Sequence, residues 1–143
     1  MMISTKGRYA LRFLADVAEH QGNGFVPLKD AAMRQEISEK YLEILVKGLV
    51  KDGLVDTLRG KGGGYRLNRP PEAYSIRDVI ELMEGPLAPV ACLAPGQGTC
   101  PRSNRCRTLP LWQGLDNVIS DYLAQFTLAD LIPEESFREE RLP

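Results

Sequence analysis

Three cysteines lie close together in a segment for which the sequence predicts no regular secondary structure. Cys92, Cys100 and Cys106 are separated by seven and then by five residues, in a stretch rich in proline and glycine. Thiolates bind metals and take part in redox chemistry. Structural zinc sites usually contain cysteine pairs about two to four residues apart, which this spacing lacks, whereas iron–sulfur clusters tolerate wider spacing. The residues alone favour a cluster and leave redox-active thiols, zinc and inert thiols as alternatives.

Two predicted helices hold this segment at its ends. Ser75 can cap a helix that continues to about Glu84, where Gly85 and Pro86 end it. A longer helix begins near Thr108 and carries a wide apolar stripe, which suits packing against a second copy of the chain. The residues expected near the seam of this homodimer are Trp112, Leu115, Ile119 and Tyr122.

A helix-turn-helix is predicted upstream, in the segment that begins at Pro27. The second helix, from Ser38 to Asp52, carries apolar residues such as Leu42 and Leu45 at three- and four-residue spacing, so one of its faces belongs to the core. Ser38 is a suitable N-cap. The outward residues of its first turns suit base edges in the major groove of DNA. The alternative is the solvated face of an ordinary helix.

A β-hairpin is predicted directly after this helix and would form a wing. Residues 54–58 and 65–67 are typical of short strands, and a glycine-rich turn joins them. Glycine allows such a turn to pass close to another surface. Arg59 and Lys61 at its tip suit a minor groove or a row of phosphates. The turn lacks the Gly-Lys-Ser/Thr signature of a phosphate-binding loop.

The start of the N-terminal helix completes the predicted DNA surface. Lys6 and Arg8 lie where cations oppose the helix dipole, so a phosphate would be a suitable partner for them. The residues expected to contact double-stranded DNA are Lys6, Arg8, Ser38, Lys40, Tyr41, Glu43, Lys47, Arg59 and Lys61.

The charge distribution agrees with this placement of the DNA surface. Residues 1–69 contain 12 Lys and Arg against 8 Asp and Glu, a net charge of +4, whereas residues 70–143 have a net charge of −5. A basic half that coincides with a helix-turn-helix is the electrostatic footprint of nucleic-acid binding.

Other classes of protein are less favoured. The sequence contains no apolar run of about 18 residues, so it predicts no membrane span. The N-terminus leads directly into a charged amphipathic helix, which indicates no signal peptide and therefore a cytoplasmic protein. A single histidine and the lack of a Ser/His/Asp or Cys/His constellation argue against an enzyme. An iron–sulfur electron-transfer protein is the weaker alternative.

Several motifs resemble the family of iron–sulfur-cluster-responsive winged-helix transcription regulators that includes IscR, the Rrf-type bacterial repressors. The resemblance covers residues 1 to about 132 and nearly the whole chain. The residues that carry it are Ser4–Ala10, Ile37–Ser38, Tyr41–Glu43, Gly53–Val55, Arg59–Gly60, Gly62–Tyr65 and the three cysteines before Leu111–Trp112.

The resemblance implies a mainly α fold with a small β-hairpin, namely a winged helix-turn-helix plus a long C-terminal dimerisation helix. It also implies a homodimer that binds a pseudo-palindromic operator, with repression as the expected mode. Cys92, Cys100 and Cys106 would bind a [2Fe–2S] or [4Fe–4S] cluster that senses iron–sulfur status, nitric oxide or redox state. Leu109 stands where some members have a histidine ligand, and Arg8 where nitric-oxide-sensing relatives have an aspartate.

We therefore predict three segments in this chain. Residues 1–84 form the DNA-binding domain, residues 85–107 form the cysteine-bearing sensor loop, and residues 108–143 form the dimerisation helix and a charged tail. A metal-free regulator that is switched by thiol and disulfide chemistry is the main alternative function.

Overall fold

The computed structural model describes residues 2–96, 98 and 100–133, and it confirms the mainly α fold with a small hairpin. The charged tail predicted over residues 134–143 lies outside the described residues. The helices and strands are α1 (Thr5–His20), α2 (Leu28–Gln35), α3 (Glu39–Lys51), β1 (Val55–Leu58), β2 (Gly64–Leu67), α4 (Ile76–Glu84) and α5 (Leu109–Ala124).

Helices α2 and α3 form the predicted helix-turn-helix. The turn between them depends on Glu36, which adopts the left-handed conformation with a φ of 55°. Such a residue is usually glycine, so a glutamate at this position does not indicate the turn. Ser38 then caps α3, and its hydroxyl accepts a hydrogen bond from the Tyr41 amide at 3.3 Å.

Strands β1 and β2 form the wing, an antiparallel pair in which Val55 lies opposite Leu67 and Leu58 lies opposite Gly64. A short bridge joins the wing to the rest of the domain, because Val26 and Tyr65 exchange backbone hydrogen bonds of 2.7 and 2.9 Å. A Cβ atom at Gly64 would lie 2.2 Å from the Val26 carbonyl oxygen. Glycine is required at this position because a side chain would collide with the backbone at Val26. This requirement holds whether or not the wing contacts DNA.

The core lies between α1, α3, α4 and the wing. Its largest fully buried side chains include Phe13, Leu14, Leu42, Leu49 and Tyr74. The Tyr74 hydroxyl donates a 2.6 Å hydrogen bond to the Leu54 carbonyl oxygen, which ties the segment before α4 to the base of the wing. Removal from water raises the pKa of Tyr74, because burial disfavours the phenolate.

The segment after α5 returns to the DNA-binding domain. Thr127 pairs with Ser75 as an isolated bridge, and the Leu128 amide donates to the Tyr74 carbonyl oxygen at 2.9 Å. Leu128 and Ile132 are buried in the same core as α1. The division of the chain at residues 84 and 107 stays a prediction, and the core of the first segment includes residues from the third.

No helix in the described part of the chain is long and apolar enough to cross a membrane.

Candidate DNA interface and cysteine site

All nine side chains predicted to contact DNA are exposed in the structure, and none belongs to the core. On α3, the first turns present Lys40, Tyr41 and Glu43 to solvent, whereas Leu42, Leu45 and Val46 are buried. The burial pattern therefore matches a helix that packs on one face and leaves its N-terminal half free for a groove.

Ile44 is a candidate site residue that the sequence reasoning missed. Its side chain is 64% exposed, one turn after Lys40 on α3. An exposed isoleucine on a recognition helix can contact a thymine methyl group. The signal was present in the sequence, since Ile44 falls outside the apolar spacing of Leu42, Leu45 and Leu49.

A cleft separates α3 from the wing and brings cations from three elements together. Its volume is about 550 Å³, and its lining includes Lys47 from α3, Arg59 from the wing and Lys29 from α2. Lys29 is a second residue that the sequence reasoning did not select. Lys61 is exposed at the tip of the wing and does not line the cleft. Glu39 also lines this cleft, and the excess of three cations over one carboxylate favours a negatively charged strand beside it.

The start of α1 contacts the recognition helix directly. The Thr5 and Tyr41 hydroxyl oxygens lie 3.4 Å apart, and the rings of Tyr9 and Tyr41 meet edge to face with centroids 5.8 Å apart. Lys6 and Arg8 flank this contact and point to solvent. The structure therefore brings the predicted α1 and α3 residues into one continuous surface.

The three cysteines line a single hollow of about 240 Å³, and all three are free thiols. The remaining lining includes the apolar side chains of Leu93 and Leu109 and the polar side chains of Ser103 and Gln113. Among the described residues, no three His, Cys, Asp or Glu side chains lie close enough together to form a ready metal site. The fold thus brings the thiols to one place without fixing them in ligand geometry.

The Cys106 thiol has local support for its ionised form. Its sulfur lies 3.4 Å from the Thr108 hydroxyl, and this hydrogen bond, with help from nearby backbone groups and Arg102, lowers the pKa of Cys106. Thiolates are the form that binds iron. Three thiols around one hollow therefore fit the donor chemistry of an iron–sulfur cluster, although the chain has no fourth cysteine to complete the ligand set.

Helix α5 leaves an apolar stripe uncovered, and none of its residues is buried. The exposed fractions are 62% for Leu111, 42% for Leu115, 63% for Val118 and 58% for Tyr122. The alternating spacing of four, three and four residues is that of a two-helix seam. Of the residues predicted near the seam, Leu115 and Tyr122 lie on this stripe. Trp112 and Ile119 are half-buried, and Ile119 lines a hollow beside α4.

Comparison with protein-family models matches residues 3–134 to the Rrf2 family, described as iron-dependent transcriptional regulators. The chain is 40% identical over 139 residues to the HTH-type transcriptional regulator IscR of Yersinia pseudotuberculosis, covering 97% of this chain and 84% of that protein.

Two solved structures share the fold over most of their length. One is IscR of T. potens, with a TM-score of 0.73, 34% identity and coverage of 100% of this chain and 93% of the other. The second is CymR, the global cysteine regulator of B. subtilis, with a TM-score of 0.76, 37% identity and coverage of 92% and 95%.

Proposed function

Because this chain belongs to the Rrf2 family of DNA-binding transcriptional regulators, we propose that it regulates transcription through an iron–sulfur cluster held by Cys92, Cys100 and Cys106. The single observation that supports this proposal most strongly is the hollow lined by all three cysteines. Family membership also sets enzymes aside, since the relatives are transcriptional regulators. A cytoplasmic location follows from binding to DNA.

The proposed DNA complex is a homodimer on a pseudo-palindromic operator. The exposed stripe of α5 pairs with the same stripe of a second copy, and the two recognition helices enter major grooves about 34 Å apart. Within each half-site, Glu43 accepts a hydrogen bond from a cytosine amino group and Ile44 contacts a thymine methyl group. Lys6, Arg8, Ser38, Lys40, Tyr41 and Lys47 contact phosphates. Arg59 and Lys61, at the tip of the wing, contact the minor groove.

The proposed sensor uses an incomplete set of protein thiolates. When bound, the cluster supplies an iron centre that responds to oxidants, nitric oxide or iron supply. Leu93 and Leu109 make the wall of the hollow partly apolar and offer no ligand atom. Thr108 contacts the Cys106 sulfur directly before α5 begins. A change in the conformation of the hollow can therefore be transmitted to α5 through a short segment.

Replacing Cys92, Cys100 or Cys106 with alanine, one at a time, should abolish stable iron binding, because each loss leaves two thiolates at most. The DNA affinity of the anaerobically prepared protein should also change by about 5–150-fold, the usual range for coupled sites. Iron content, the visible absorption spectrum and operator binding measure these effects. Equal iron content and equal affinity in the wild type and all three variants would remove the sensor from the proposal.

Replacing Arg59 with alanine should weaken operator binding and reduce the slope of log affinity against log salt by about one unit. The matched control is Arg66→Ala, which removes the same charge from the other face of the hairpin. There the Arg66 guanidinium lies 4.7 Å from the centre of the Phe25 ring, on the side of the wing away from the cleft. Identical salt slopes for wild type and Arg59→Ala would place the wing away from DNA.

A metal-free thiol switch is the second candidate function. It is favoured by the exposure of Cys92 and by the lack of a ready metal site among the described residues. Anaerobic purification separates the two candidates. A coloured protein that contains iron supports the cluster, whereas a colourless protein whose DNA affinity changes on oxidation supports the thiol switch.

A further inference from the structure

The carboxylate of Glu84 lies at the N-terminus of α1, 80 positions away in sequence. Its Oε1 atom accepts hydrogen bonds from the backbone amides of Ser4 and Gly7, both at 2.9 Å, and from the Ser4 hydroxyl at 2.6 Å. The hydrogen bond from the Ser4 hydroxyl is the main cause of the lowered pKa of Glu84. The last residue of α4 therefore caps the first turn of α1.

This contact supplies in three dimensions what the local sequence lacks. In a capping box, the third residue of a helix is usually a glutamate or glutamine that accepts from the N-cap amide. In α1 the N-cap is Ser4 and the third residue is Gly7, and the first turn contains no acidic residue. Glu84 takes this role from another helix, and its negative charge offsets Lys6 and Arg8 at the positive end of the dipole.

Gly7 makes the contact possible. A Cβ atom at this position would lie 2.6 Å from the Glu84 Oε1 atom, closer than any ordinary contact. Gly7 is buried within α1, and it is not among the glycines with a left-handed backbone. The reason for glycine here is therefore the approach of the Glu84 carboxylate rather than the conformation of the chain.

Glu84 lies between the cysteine loop and the DNA-binding surface, which the proposed function connects. On one side, Gly85 follows it directly and begins the loop that carries Cys92, Cys100 and Cys106. On the other side, Ser4 and Gly7 flank Thr5, whose hydroxyl oxygen lies 3.4 Å from that of Tyr41 on the recognition helix. A series of direct contacts thus connects the loop to α3: Glu84 contacts the start of α1, and Thr5 in α1 contacts Tyr41 in α3.

We propose that Glu84 is a positioning residue that couples the state of the cysteine loop to the DNA surface, by capping α1 in one state of the loop and withdrawing in the other. The inference rests on the proposed function and names its route of regulation. A change in the loop moves the end of α4, and the cap on α1 tightens or opens. The opened state frees the start of α1 with Lys6 and Arg8, and it loosens the support of Tyr41. The loop can shift this equilibrium only by its different stability in the two states.

The first test measures operator affinity with and without the cluster for wild type, Glu84→Ala and Gly7→Ala. The ratio of the two affinities should fall toward one in both variants, because one removes the capping carboxylate and the other displaces it. Glu81→Ala is the matched control, since it removes a carboxylate one turn earlier on α4 that pairs with the exposed Arg77. Glu81→Ala should keep the wild-type ratio of the two operator affinities. A wild-type ratio in both test variants would overturn the proposal.

The second test separates this inference from the proposed function. Hydrogen exchange of a peptide that spans residues 2–9 reports the Ser4 and Gly7 amides, which have no acceptor within α1 and depend on Glu84. We expect faster exchange in Glu84→Ala by about tenfold or more, because the amides lose hydrogen bonds to a charged acceptor, and a measurable difference between loaded and cluster-free wild type. Equal exchange in the two wild-type states would overturn the coupling by Glu84 even if the cluster regulates DNA binding. A difference in exchange without any change in affinity would support the cap and contradict the proposed sensor.

Discussion

Val118→Glu should convert the proposed dimer to a monomer at micromolar concentration. Val118 is the most exposed apolar residue of the α5 stripe, and a two-fold axis would place each substituted residue in the same seam. An unpaired charge buried in such a seam costs about 3–5 kcal/mol. Because Val118 contributes little to the core of its own chain, the monomer should keep its fold, and sedimentation with thermal unfolding will measure both properties.

The control for this result is Asn117→Glu, which adds the same charge one residue earlier on α5, off the apolar stripe. We expect it to remain a dimer. Operator binding by Val118→Glu should fall to the level of a single half-site, since the second recognition helix is no longer attached. A dimer of unchanged sedimentation coefficient would refute the assignment of this stripe to the seam.

Arg34→Met should lower the free energy of unfolding by about 3 kcal/mol, near the lower end of the range for leaving a buried charge without its partner, because Asp16 is buried while the Arg34 side chain is 35% exposed. Asp16 is 1% exposed in α1 and accepts two hydrogen bonds from the Arg34 guanidinium, of 2.8 and 3.0 Å. Gln35 donates a third at 3.0 Å. These contacts hold α2 against α1, and the pairing raises the pKa of Arg34. Removal of the guanidinium leaves a buried carboxylate with one donor, and chemical denaturation will measure the loss.

Two further variants distinguish this pair, in which only the Asp16 carboxylate is buried, from an ordinary surface pair. Arg77→Met breaks the exposed pair with Glu81 at 3.3 Å and should cost less than about 1 kcal/mol. Asp16→Leu combined with Arg34→Met should recover much of the stability, because an apolar pair often replaces a buried ion pair at little cost. A loss for Arg34→Met no larger than that for Arg77→Met would show that the Asp16 carboxylate does not depend on its partner.

Local patterns were sufficient to predict most of the elements. The apolar spacing of Leu42, Leu45 and Leu49 identifies α3 and its buried face, and the Ser4 and Ser38 hydroxyls mark the starts of two helices. These features were predictable because they depend on residues within one or two helical turns. The assignment of the cysteines to one site followed from their closeness in sequence, and the structure places all three around one hollow.

The exact faces of the candidate site required the packed chain. The apolar pattern of α5 is wide enough to include Trp112 and Ile119, and only the packed structure shows that both are half-buried, Ile119 beside α4, while Val118 is exposed. Lys29 joins the cleft because α2 packs beside the wing. Neither fact has a local signal, since both depend on which element comes to lie beside another.

The sequence by itself determined the helices, the hairpin, the basic half of the chain and the group of three thiols, because each is encoded in neighbouring residues. Only the tertiary structure decided the contacts between distant residues. Asp16 meets Arg34 across two helices, Gly64 meets the Val26 backbone, and Glu84 meets Ser4 at a separation of 80 positions. The physical reason is that hydrogen bonds and steric contacts act over a few ångströms, so partners far apart in sequence become specific only after the core has brought them together.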